Sequence, residues 1–337
     1  MTLAAPRSFA HQRAGHCGSG AIRDLLEFHG LDHGHGPVSE ELVFGLSGAL
    51  GFLYLDAVPA PAPPVYLVGR TADLERDIAP QLGATLDIRR TDDPALGWAW
   101  VRDEVDAGRP PMIWADIGHL EYLRVRMHNT RHDIVVVDHD EAAGIAWIAD
   151  NDRDELQPCS LESLARARRS DAFPGPAEHT TFVYGWPTAL PPLGPAVRAA
   201  AAIAVANMRG AGPPLAGLPG RTGLEGIAAL ADDYGRWPQR FGDQLPEALR
   251  ALWAFIVKAG TGGAMFRSLQ AGFLEQAGEQ LTDPTVAAAS RRYRQLAEAW
   301  AALAVAAEAD DHAAGVDPLA AVARLEVEAL DGLEACA

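Results

Sequence analysis

Arg131-His132-Asp133-Ile134-Val135-Val136-Val137-Asp138-His139-Asp140, then Glu141-Ala142-Ala143-Gly144, then Ile145-Ala146-Trp147-Ile148-Ala149-Asp150-Asn151-Asp152 is the stretch from which the fold is read. Two runs rich in β-branched residues flank a polar turn containing glycine, so the spacing predicts an antiparallel hairpin. With the turn centred on Glu141, His132 and Asp150 stand at equal distances from it and face each other across the ladder. Directly opposed side chains have Cβ atoms roughly 5 Å apart, which lets the carboxylate orient the imidazole. A small shift of register substitutes Asn151 or Asp152 for Asp150. The plainer alternative for His132 is a histidine that caps a strand. A metal site built from His128, His132 and His139 is disfavoured, because odd and even offsets on an extended strand point to opposite faces.

A base held by a carboxylate is informative only if a nucleophile exists, and one lies far upstream in His16-Cys17-Gly18-Ser19-Gly20-Ala21-Ile22-Arg23-Asp24-Leu25-Leu26-Glu27-Phe28-His29-Gly30. Ile22, Leu25, Leu26 and His29 recur at helical spacing and Gly30 supplies a stop, so a helix begins at or just after Cys17. Unpaired N–H groups and aligned peptide dipoles favour a thiolate at a helix start. For an isolated cysteine the ordinary reading is a small buried residue. Cys17 together with His132 and Asp150 forms the nucleophile, base and orienter set that covalent catalysis requires.

Composition narrows the function classes. The 337 residues suffice for two ordinary domains, and the formal net charge of −17 argues against nonspecific binding to nucleic acid or an anionic membrane. The longest apolar run, 199–208, is too short to span a bilayer, and the first residues lack the apolar core of a secretory signal, so a soluble cytoplasmic protein is expected. Cys17, Cys159 and Cys336 are too few and too far apart for a disulfide framework, so reduced thiols are expected. His33 and His35 lie in a turn-rich segment whose spacing matches no closed zinc site. No bound cofactor and no metal is expected, and the oligomeric state stays open, a homo-oligomer included.

Along the chain, Ser39 caps a short helix that runs into Leu46-Ser47-Gly48-Ala49-Leu50-Gly51-Phe52, where glycines alternate with large apolar residues. Such glycines permit close backbone approach, which suits either a pocket wall bearing Ser47 and Gly48 or a tight core crossing. A proline-rich connector at 59–64, a strand at 65–69, helices at 71–82 and 93–107, and a strand at 112–116 complete the first half. A second proline-rich joint at 186–195 marks a change to alanine- and leucine-rich helices, predicted at 196–209, 223–234, 244–259, 264–278, 284–306 and 318–335. The expected domains are therefore 1–188 and 189–337. Gly260-Thr261-Gly262-Gly263 lacks the ending of a P-loop, but Gly262 and Gly263 before a helix suit either an anion site or a plain turn.

The order Cys17, His132, Asp150 resembles the papain-type cysteine peptidase arrangement. More narrowly, His16-Cys17, Phe44-Gly45-Leu46-Ser47-Gly48, the run His132 to Asp138, Ile148-Ala149-Asp150-Asn151, the segment 160–168, Gly223-Leu224-Glu225-Gly226 and 259–267 resemble the butirosin biosynthesis protein H family across nearly the whole chain. The resemblance implies an α+β fold, a papain-like catalytic domain with a central antiparallel sheet followed by a mostly helical domain. It also implies an acyltransferase of antibiotic biosynthesis that moves an acyl or aminoacyl group from the phosphopantetheine thioester of an acyl carrier protein, or from a small acyl thioester, to an amine-bearing small molecule. On that reading Cys17 accepts the acyl group, His132 is the base and Asp150 orients it. A papain-like oxyanion hole adds a glutamine a few residues before the cysteine; Gln12 stands five residues before Cys17, with His16 as the competing donor and a solvent-exposed Gln12 as the plainer alternative. A peptidase, amidohydrolase or cyclase using the same residues, and a catalytically silent binding protein, are the alternatives. An acidic carrier needs basic surface, for which Arg166, Arg168 and Arg169, or Arg291, Arg292 and Arg294, are the densest candidates, each equally a solvated helix face.

Overall fold

The computed structural model describes residues 7–55, 63–71, 73–211, 220–259 and 261–337. Most of the expected proline-rich connector, 59–62, and Gly260 of the glycine turn lie outside the described residues. In chain order the elements are α1 (Cys17–Phe28), α2 (Glu40–Leu46), β1 (Leu50–Leu55), β2 (Tyr66–Arg70), α3 (Leu74–Gln81), β3 (Thr85–Arg89), α4 (Pro94–Asp106), β4 (Met112–Ala115), β5 (His132–Asp140), β6 (Ile145–Ala149), β7 (Gln157–Ser160), α5 (Leu161–Arg168) and β8 (Thr181–Gly185). There follow α6 (Leu193–Met208), β9 (Arg221–Thr222), α7 (Gly223–Tyr234), α8 (Trp237–Phe241), α9 (Leu245–Trp253), α10 (Arg267–Leu281), α11 (Pro284–Glu308) and α12 (Val316–Glu334). The chain is α+β, with antiparallel strands in its first half and helices in its second. No helix among the described residues is long and apolar enough to cross a membrane.

The chain divides into two compact units, Met1–Val38 with Leu82–Leu190, and Ser39–Gln81 with Pro191–Ala337. These units are discontinuous, unlike the expected 1–188 and 189–337: Ser39–Gln81 groups with Pro191–Ala337. The reason is local. Gly45 of α2 lies so close to Phe273 of α10 that a Cβ would fall 1.8 Å from the ring, and Phe44 stacks on Phe266 at 5.3 Å between centroids. Gly48, at φ +65°, leaves no room for a Cβ beside Ile203, and its carbonyl accepts from Asn207 Nδ2 at 2.9 Å. Of the two readings given to these glycines, core crossing is the one these contacts describe.

In the first unit the sheet order is β3-β8-β4-β5-β6-β7, every pair antiparallel. β3, β7 and β8 escape the sequence reading because they are short and only weakly alternating. β5 is buried over five consecutive positions, Asp133 to Val137, which requires cover on both faces of the sheet. Ile134 and Val136 join Val101 and Val105 of α4 and Leu164 and Ala167 of α5 in one cluster, while α1 packs against β5. Each such fully buried Val, Ile or Leu contributes about 1.5–3 kcal/mol.

Arg168, expected at a docking surface, is instead inside this unit. It donates to the carbonyls of Gly97 (3.0 Å) and His179 (2.7 Å) and to Thr181 Oγ1 (2.8 Å). Burial pushes the guanidinium down to about 9, which still leaves it charged at neutral pH. Arg168→Met strands these acceptors, so a loss of about 3 kcal/mol is expected, checked as a lowered denaturation midpoint by circular dichroism.

The second unit carries a small antiparallel sheet, β2-β1-β9, against helices whose interior holds a charged pair. Arg267 Nε lies 2.8 Å from Glu326 Oε1, and Arg267 Nη1 donates to the carbonyls of Gly51, Gly69 and Met265. One guanidinium therefore ties β1, β2 and α12 together, and its donors are well used.

Candidate active site

α1 begins at Cys17. The cap is His16, extended at φ −136° and ψ 136°, whose Nδ1 accepts from the Ser19 N–H at 3.2 Å. Gly20 N–H bonds the His16 carbonyl at 3.0 Å, so the Cys17 and Gly18 amides are left as the opening donors of the helix. The helix ends at His29, with Gly30 left-handed at φ +64° as the sequence stop requires. Cys17 is partly exposed, whereas Cys159 and Cys336 are buried.

His132 opens β5 and Asp150 directly follows β6. Its Nε2 lies 2.9 Å from Asp150 Oδ2, with 12 % of the histidine side chain exposed and none of the aspartate's. The two do not oppose each other directly. The turn spans 141–144, Asp140 pairs with Ile145, and a bulge between Val136 and Asp138 shifts the ladder so that Val135 faces Ala149. His132 thus reaches Asp150 diagonally, a span within reach of a ring.

Asp150 is held on both oxygens. Tyr122 donates its hydroxyl to Oδ2 at 2.8 Å, and the Asp152 N–H donates to Oδ1 at 3.0 Å. Asp152 itself is exposed and paired with Arg153, so it acts on Asp150 only through its backbone. Tyr122 gave no signal in the sequence, since nothing in its spacing ties it to the hairpin.

The charges are coupled. Burial raises the Cys17 thiol, yet the adjacent His16 and His132 hold it well below the ordinary cysteine value. Burial likewise opposes an imidazolium at His132, but Asp150 and then Cys17 hold it well above the ordinary histidine value. Asp150, against its own burial, is kept below the usual carboxylate range by His132, the Asp152 N–H and Tyr122. With Nε2 turned to Asp150, Nδ1 is the ring nitrogen left for the sulfur. Both directions favour transfer of the Cys17 proton toward His132. Asp133 adds a second neighbour, with Cys17 Sγ 3.6 Å from its Oδ2; the Val-rich run had marked Asp133 only as a strand residue.

One residue registers the nucleophile's segment on the hairpin. Asn151 accepts from Ala14 N–H at 3.1 Å and donates its side-chain amide to the Ala14 carbonyl at 3.1 Å. Gly20 sits beneath this junction, where a Cβ would fall 2.4 Å from that of Ala14 and 3.5 Å from that of Asn151. Gly20→Ala is expected to push this segment off the hairpin. A loss of about 1–3 kcal/mol in stability and slower thiol alkylation at Cys17 check this.

The family model for the N-terminal region of butirosin biosynthesis protein H matches residues 16–151, a span that opens on the cap of α1 and closes one residue past Asp150. Over residues 16–151 the chain is thus similar to the butirosin biosynthesis protein H family. A domain of unknown function (DUF4872) matches residues 162–335. No curated protein matches the chain. The family is named for the biosynthesis of butirosin, an aminoglycoside antibiotic, and the matched N-terminal region contains Cys17, His132 and Asp150 but stops short of Gln12.

Of the other expected site residues, His16 stands beside Cys17 and helps to hold its thiol low, and the rest have the following surroundings. Gln12 is exposed, and its carbonyl, rather than its side-chain amide, is engaged, accepting from Arg23 Nη2. His16 serves as the cap described above. Ser47 belongs to the second unit, where its buried hydroxyl donates to the Phe44 carbonyl at 2.6 Å and accepts from Ala49 N–H at 3.1 Å. Gly262 and Gly263, also in the second unit, are left-handed at φ +64° and +91°, and the Gly262 carbonyl accepts from Ser268 Oγ at 2.6 Å. Arg166 pairs with Glu162 and Arg294 with Glu275, while Arg292 donates to the Glu328 carbonyl.

Proposed function

We propose that the chain is a cysteine acyltransferase of antibiotic biosynthesis that works through an acyl-Cys17 intermediate. The observation that carries the reading is the coupled set at the start of α1: a thiol held low, an imidazole held high, and a buried carboxylate 2.9 Å from that imidazole. The Cys17 thiolate attacks a thioester carbonyl, and the Cys17 and Gly18 amides at the helix start receive the developing oxyanion. On collapse the donor's C–S bond breaks and a C–S bond to Cys17 remains. The departing thiol takes the His132 proton. An amine then attacks acyl-Cys17 and gives its proton to His132; the C–N bond of the product amide forms, the C–S bond to Cys17 breaks, and the Cys17 thiolate is left beside protonated His132, as at the start. The donor is a carrier-protein phosphopantetheine thioester or a small acyl thioester, and the acceptor an amine-bearing small molecule, in keeping with the aminoglycoside in the family's name.

The test is intact-mass measurement after incubation with a simple acyl thioester. A single acyl adduct on Cys17 that amines discharge faster than water is the expected result. Rapid loss to water alone would make the chain a hydrolase, and no adduct at all would leave a silent binding protein.

A further inference from the structure

A second cluster of ligating side chains lies outside this chemistry. Asp116, just past β4, is completely buried, and its carboxylate is fixed: Oδ1 accepts from the Gly118 N–H (3.0 Å) and Asn129 N–H (3.1 Å), and Oδ2 from Ser170 Oγ (2.6 Å). Oδ2 also lies 2.8 Å from His128 Nδ1. His119, on the short turn that Asp116 caps, sets its ring edge-on to that of His128 at 5.2 Å. One ligand atom from each of Asp116, His119 and His128 lies within 4.8 Å of the others. The space for the His128 ring exists because residue 118 is glycine, where a Cβ would fall 2.6 Å from His128 Nδ1.

We infer that Asp116, His119 and His128 bind one divalent transition-metal ion of the zinc class. Two imidazoles and one carboxylate are a borderline-soft donor set that suits Zn²⁺ or Co²⁺ rather than Mg²⁺ or Ca²⁺, and three protein ligands leave a position for water. Ligand atoms 2.0–2.1 Å from a tetrahedral zinc are ~3.3 Å apart. The Asp116–His128 pair is already near that separation, so the ion takes the place of the shared proton and the ring proton moves to Nε2. His119 moves inward and His128 eases outward by about half an ångström, which its side chain, 48 % exposed, has room to do. Asp116 stays put, because the Gly118 and Asn129 amides and Ser170 hold it as an outer shell holds a ligand.

This set differs from the histidines weighed in the sequence. His128 joins His119, not His132 or His139, because the chain from 120 to 127 doubles back, so that Ile117 N–H bonds the Asn129 carbonyl at 3.2 Å. The ion would clip together the ends of the segment that carries Tyr122.

The full chain, freed of metal by chelator and dialysed, is titrated with Co²⁺ and followed by its visible absorption. Saturation at one ion per chain is expected, with the band bleached by one equivalent of Zn²⁺. Ser170→Ala should weaken Co²⁺ binding 10–100-fold, and the double variant H119Q/H128Q should abolish the band, while H33Q/H35Q and C17S retain it. Circular dichroism checks that each variant folds, and Zn²⁺ should raise the melting temperature of the wild-type chain but not that of H119Q/H128Q. A folded wild-type chain without a saturable band, or a band that survives in H119Q/H128Q, overturns the inference.

Discussion

Iodoacetamide at neutral pH is expected to label the chain once, at Cys17, and Cys17→Ala is expected to lose both that label and acyl transfer, the latter by on the order of 10⁴-fold or more. The selectivity follows from the three thiols' surroundings. Burial and Glu121 push Cys159 up to about 12, and burial and Asp283 push Cys336 up to about 11, so neither is a thiolate near neutrality. Cys17 is held well below the ordinary value and is partly exposed. The rate of labelling should therefore rise with pH through a midpoint below that of a free thiol and then stay level where Cys159 and Cys336 are still silent. Peptide mapping of the labelled chain reads the site, and the pH dependence reads the shift. Labelling spread evenly over the cysteines, or full transfer by Cys17→Ala, would remove the nucleophile from the mechanism.

The fold's local parts were legible because each rests on neighbours in sequence. Cys17 marks a helix start by the spacing of Ile22, Leu25 and Leu26 and by Gly30, and the hairpin is marked by its valine run and its turn. What the pattern does not encode is the register, since one bulge near Val137 and a four-residue turn move the ladder by two positions without changing composition. His132 still meets Asp150 because a diagonal neighbour is close enough for an imidazole. The contacts made across long separations were not legible: Tyr122 on Asp150, Asn151 on Ala14, and Ser39–Gln81 with the second unit. Arg168 shows the same limit in reverse. A basic helix face reads as solvated until carbonyls from Gly97 and His179 converge on it.

Asp150→Asn should lower kcat/KM by about 10²–10⁴-fold and, more tellingly, narrow the pH profile from both sides. Asp150 is a positioning residue: it touches no reacting atom but sets the charge of the ring that does. In the wild-type chain the thiolate forms above the lowered Cys17 pKa and the imidazolium persists up to the raised His132 pKa, so activity holds between them. Asparagine still accepts from Nε2 but carries no charge. The imidazolium then loses its main support and the alkaline limb moves to lower pH. A weaker imidazolium supports the thiolate less, and the acid limb moves up. A residue that mattered only for packing would lower the plateau and leave both limbs in place. Tyr122→Phe serves as the companion variant: it removes the 2.8 Å donor to Oδ2 but keeps the charge, so a loss under about tenfold is expected, with the limbs nearly unmoved. If Asp150→Asn kept the wild-type limbs while losing rate, the carboxylate would have no part in setting the pair's protonation, and the thiolate at Cys17 would rest on the helix start and His16 alone.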